Sequence, residues 1–103
     1  MYVRIQRGST ELVDPEDVTS FSVVCPADMD ASELAAQARQ SGVGEVLPDG
    51  NHLMVSVAAI RRLVDGRVGA DWPDKLSGMI AYAERKGWTD VDSTAVRAHV
   101  ERR

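Results

Sequence analysis

A chain of 103 residues fits one domain and leaves little room for a second, and a content of 44% hydrophobic and 27% charged residues excludes global disorder. The formal net charge of −4 argues against a general nucleic-acid binder, which needs a basic surface to displace counterions from phosphate. Cys25 is the only cysteine, so an intramolecular disulfide is excluded; no stretch approaches the ~18 apolar residues of a membrane helix, and Met1-Tyr2-Val3-Arg4 lacks the apolar run of a signal peptide, so the expected compartment is the cytoplasm.

Met1, Val3 and Ile5 alternate with Tyr2, Arg4 and Gln6, the period of a strand with one buried face. Gly8-Ser9 supplies a tight turn, and residues 10–13 are placed to pair back on that strand. Asp14-Pro15-Glu16-Asp17 reads as a turn or one short helical turn, with Asp14 as cap. Residues 21–25 form a continuous β-favouring run, as expected of a central strand, and Pro26 ends it.

A helix then begins at a capping box formed by Asp30 and Glu33, with Met29 and Leu34 as a hydrophobic staple. Ala31, Leu34, Ala35 and Ala38 make its narrow apolar stripe, and Gly42 is placed to stop it. Residues 43–47 and 52–57 read as two strands joined by the hairpin signal Pro48-Asp49-Gly50-Asn51. Ser56 caps a further helix with Ile60, Leu63 and Val64 on one face and Gly66 at its end. The C-terminal third is expected to be helical. Pro73 suits a helix start, Leu76, Met79, Ile80 and Ala83 share a face, and Gly87 ends the helix with Trp88 packed behind it. Asp90 or Asp92 then caps a last helix, with Val91, Ala95 and Ala98 on one stripe and Val96 and Val100 beside it, and residues 101–103 are expected to fray.

The expected architecture is a single α+β domain over residues 1–103. It has a mostly antiparallel sheet of four to five strands, a β-α-β-β-α core and two C-terminal helices. Charge is unevenly divided: residues 1–52 carry three bases and nine acids, a balance of −6, and the remainder nine bases and seven acids, a balance of +2. Such asymmetry is ordinary for a solvated surface, and also fits a basic partner or head-to-tail self-association.

Few residues combine into chemistry. Cys25 stands before a helix N-terminus, whose dipole favours a thiolate, but Asp28 and Asp30 oppose it, and a buried structural cysteine is the commoner outcome. The candidate base for such a nucleophile is His52; His99 is the only other histidine. One cysteine and two distant histidines give no metal-ligand spacing, and no glycine-rich phosphate loop or nucleophile elbow is present, so neither a metal nor a cofactor is expected. Trp72 and Trp88 flank the penultimate helix as packing anchors or as part of a partner surface extended by Met79 and Tyr82. The leading expectation is a non-catalytic accessory or protein-interaction domain without nucleic-acid or membrane partners. The alternative is a small-molecule sensor with its pocket between the sheet and the C-terminal helices, and an enzyme using Cys25 comes third.

Overall fold

The computed structural model describes residues 1–103, arranged as six strands and three helices. In chain order these are β1 (Tyr2–Gln6), β2 (Ser9–Val13), β3 (Ser22–Cys25), α1 (Ala31–Ser41), β4 (Gly44–Val46), β5 (His52–Ser56), α2 (Val57–Val64), α3 (Trp72–Lys86) and β6 (Ala95–Arg102). One curled sheet runs β2-β1-β3-β6-β5-β4. The fold is therefore α+β, but the sheet has six strands rather than four or five. It is also mixed rather than mostly antiparallel: β3 runs parallel to both its neighbours, β1 and β6, and the outer pairings are antiparallel.

Local chemistry accounts for the elements that were legible. Asp30 accepts from the Glu33 backbone N–H at 2.8 Å, and Gly42 ends α1 in the left-handed region at φ 73°. Ser56 likewise caps α2 by accepting from the Ala59 N–H at 3.2 Å. Gly87 closes α3, and the Trp88 N–H donates to the Ala83 carbonyl at 2.9 Å, which folds the chain back after the helix.

The C-terminal segment departs from expectation. In place of a last helix stands β6, inserted between β3 and β5 with Val96, Ala98 and Val100 buried and Arg97 and His99 exposed. Thus α3 is the one helix beyond α2, and residues 101–103 do not fray: Arg103 N–H donates to the Cys25 carbonyl at 3.0 Å. The Arg102 guanidinium also donates to the carbonyls of Met29 at 3.3 Å and Gly50 at 3.0 Å. Asp90 does cap, but it caps a turn. Its carboxylate accepts from the N–H groups of Thr94 at 2.7 Å and Ala95 at 3.1 Å, and from the Thr94 hydroxyl. The Thr94 hydroxyl, helped by these backbone donors, holds the Asp90 carboxyl below its ordinary range against the opposing effect of desolvation.

All three helices contribute to a single apolar cluster on one side of the sheet. Val3, Val23, Val55, Val100, Leu53 and Ala98 supply its sheet side, and Leu34, Ile60 and Leu76 its helical side. Val24 is the one buried residue outside that cluster. Strand alternation places it on the opposite face, together with Tyr2, Arg4, Met54, Arg97, His99 and His52. That second face carries no helix.

Candidate functional site

The main concavity of the molecule is a cleft of about 700 Å³ at the place where β6 changes neighbour. Downstream, His99 to Arg102 pair with β3. Upstream, β3 has not yet begun, and the β6 edge is taken up by the chain leaving α3: Arg97 N–H donates to the Trp88 carbonyl at 2.7 Å and Thr89 bridges Val96. Between these two partners the sheet is interrupted, and the cleft occupies the interruption.

One wall is the segment 18–21, held by the N-terminal ammonium group, which donates to the carbonyls of Asp17 at 2.7 Å and Ser20 at 3.3 Å. Asp17 also accepts from the Thr19 hydroxyl and N–H, and these bonds keep its carboxyl below the ordinary range. The facing wall is α3, through Lys75, Gly78, Met79, Tyr82 and Ala83. Trp88 and Val96 complete the apolar part; Arg97, His99 and His52 enter from the helix-free face.

The aromatic rim is ordered by stacking. Tyr82 and Trp88 meet edge to face with ring centroids 6.0 Å apart, and Arg85 and Lys86 lie 5.7 and 5.6 Å from the Tyr82 centroid. Both rings remain partly open to solvent, Tyr82 at 48% and Trp88 at 37%. His52 and His99, directly opposite on β5 and β6, also pack edge to face at 5.5 Å. Asp49 fixes the first imidazole by its 2.7 Å contact with Nδ1, which leaves Nε2 as the nitrogen free for a ligand. The Asp49 carboxyl lies below its ordinary range because it accepts from the Asn51 N–H and, next, from His52.

Of the four residues expected to form a partner surface, Met79, Tyr82 and Trp88 come together in this cleft. Trp72 does not. It is 3% exposed in the core, with its indole Nε1–H donating to the Pro15 carbonyl at 2.6 Å, so it pins the start of α3 to the 14–17 turn. The residues that sequence reasoning missed are Phe21, Arg97 and the His99 partner of His52. The signal for Arg97 and His99 was the alternation Val96-Arg97-Ala98-His99-Val100, which also fits a helical stripe; Phe21 gave none beyond its place at the head of the 21–25 run.

Cys25 and His52 are not brought together. The thiol belongs to the apolar cluster, whereas His52 lies on the other face of the sheet and pairs with His99, which in turn faces Ser22 rather than Cys25. Burial pushes the Cys25 thiol up, with Arg102 only partly offsetting it. Cys25 is accordingly expected to resist iodoacetamide in the native protein at neutral pH and to react once urea unfolds it. Rapid native alkylation, counted by intact mass, would contradict this placement.

No group of three or more histidine, cysteine or carboxylate side chains is placed to hold a metal, and no helix is long and apolar enough to cross a membrane. Comparison of the chain with protein-family models, curated proteins and solved structures found no match.

Proposed function

We propose that this protein is a binding domain whose cleft between α3 and the interrupted sheet takes a small molecule. The observation that carries the reading is the cleft itself. Its volume lies within the ~300–1,000 Å³ usual for ligand sites, and it combines an apolar and aromatic interior with a few convergent polar groups. Gly78 adds support. It sits in the middle of α3, where glycine costs about 1 kcal/mol relative to alanine, yet a Cβ there would meet nothing within 4 Å. Packing therefore does not require a glycine, and its effect is to keep the cleft wall low.

Gly78→Ala is expected to stabilise the fold by about 0.5–1 kcal/mol in urea titration. Gly78→Leu should fill the cleft while leaving the fold intact. A metabolite panel followed by thermal shift tests the proposal, since a ligand that binds only the native state must raise Tm. The reading expects at least one compound to stabilise the natural protein and to lose that effect in Gly78→Leu. A flat response, or equal shifts in both proteins, would count against it.

The exposed Tyr82–Trp88 pair favours a second reading, in which the same rim docks on a protein or on another copy of this chain. Sedimentation of the purified protein and of Trp88→Ala separates the two, because only the docking reading expects association that this substitution weakens.

A further inference from the structure

We infer that the ligand of this cleft is a small organic anion, a carboxylate or phosphate attached to an apolar or aromatic body; the inference rests on the small-molecule reading above. The chain as a whole is acidic, with 16 carboxylate side chains against 12 bases. The cleft inverts that balance: the bases Lys75 and Arg97 line it together with the imidazoles of His52 and His99, and no Asp or Glu does.

These four groups are not equally available. Lys75 is already shared between Glu16 at 3.3 Å and Asp71 at 3.6 Å, so its ammonium is partly neutralised, and the His52 Nδ1 is already taken by Asp49 at 2.7 Å. Arg97 forms neither a side-chain hydrogen bond nor an ion pair within the chain. It is nevertheless fixed at its base, because its backbone N–H is bonded to Trp88 and its strand lies inside the sheet. A guanidinium so placed offers a planar fork of donors that matches carboxylate or phosphate oxygens in pairs.

The neighbours of Arg97 extend the anion site. Alternation puts His99 on the same face two residues along β6, and His52 lies directly across from His99 on β5. The apolar body has its own place beyond these groups, against Phe21, Met79, Ala83, Trp88 and Val96. The cleft thus has a polar mouth on the helix-free face, where Arg97 is the permanent cation, and an apolar interior toward α3. An anion with a hydrophobic tail satisfies both parts at once. A cation would meet Arg97 and Lys75, and a neutral ligand would meet the Arg97 fork without a charge to strengthen the bond.

The test uses matched probes that differ only in charge: phenylacetate and indole-3-acetate, their primary amides, and the corresponding arylethylamines. Affinities are measured by calorimetry or NMR titration on the full chain. The acids are expected to bind about tenfold or more tightly than the amides, the advantage of a charge-assisted hydrogen bond, and the amines more weakly still. Arg97→Gln should remove most of that advantage, lowering acid affinity far more than amide affinity, and Arg97→Lys should keep part of it. Inorganic phosphate alone should compete weakly, because it lacks the apolar body. Urea midpoints equal to that of the natural protein establish that the variants fold. If amides or amines bind as tightly as the acids, or if Arg97→Gln leaves acid binding intact, the anion inference is overturned and the cleft reading stands. If none of the probes binds at millimolar concentration, the anion inference is overturned, whereas the cleft reading falls only on a flat response of the metabolite panel or on equal shifts in Gly78→Leu.

Discussion

Trp72→Ala is expected to destabilise the protein by about 3–5 kcal/mol, the usual cost of emptying a buried aromatic site. The indole is 3% exposed, and its Nε1–H bond to Pro15 ties α3 to the turn after β2. Removing it leaves a cavity and also strands the Pro15 carbonyl. Trp72→Phe should cost less, about 1–3 kcal/mol, because a ring still fills much of the space while the carbonyl loses its donor. Trp88→Ala should cost about 1 kcal/mol or less, since that ring is already 37% exposed. Urea unfolding of the three variants checks the ranking. Equal losses at positions 72 and 88 would show that the two indoles do not divide into core anchor and cleft rim.

Gly44→Ala carries the second large effect, an expected loss of about 2–4 kcal/mol. Gly44 opens β4 opposite Val55 of β5, and a Cβ there would stand 2.0 Å from the Met54 carbonyl oxygen and 3.1 Å from Val55 Cα. Both obstacles are backbone, so no side-chain rotation relieves the contact. The available relief is to separate β4 from β5, and the cost is bounded because β4 is a three-residue edge strand. Gly8→Ala is the proper control. Its φ of 83° also disfavours a side chain, but a Cβ there meets nothing within 4 Å, so only the conformational cost of about 1 kcal/mol applies. A Gly44→Ala variant no less stable than Gly8→Ala would contradict the close approach of the two strands.

The elements that could be read in the sequence are those whose signals lie within a few residues of one another. The Asp30 and Ser56 caps and the glycines after α1 and α3 act through bonds spanning three to five residues, so they operate whatever the rest of the chain does, whereas the Glu33 half of the expected capping box is not formed because its carboxylate bonds Arg7. The alternation of Met1, Val3 and Ile5 was equally local, as was the hairpin pairing β1 with β2. The segment 90–102 was ambiguous on those terms. Asp90 precedes an apolar stripe as a helix cap does, although its carboxylate bonds N–H groups four and five positions on rather than two or three, and the alanines at 95 and 98 share a helical stripe whereas Val96, Ala98 and Val100 share one face of a strand.

What decides that segment is tertiary. β3 and β5 each present an unpaired edge, and only an extended chain satisfies both, with Ser22 and His52 flanking His99. The same long-range pairing adds to the mixed character that β1 already gives the sheet, because β3 and β5 run in opposite directions and a strand laid between them is parallel to one and antiparallel to the other. The cleft inherits this illegibility. Met79, Tyr82 and Trp88 were readable as a group because one helix and its exit turn carry them. Arg97 and His99 reach the cleft only because β6 is a strand, and Phe21 only because β3 starts one residue later.

The measurement that tests the central claim most directly is a ¹H–¹⁵N NMR screen of the labelled protein against a library of small organic acids, amides and amines. The account predicts that binders shift the amides of Gly78, Tyr82, Arg97 and His99 and the indole resonance of Trp88. The buried Trp72 indole and the β4 edge at Gly44 should stay largely unmoved. No shifts at millimolar ligand, or shifts centred away from α3 and β6, would contradict it.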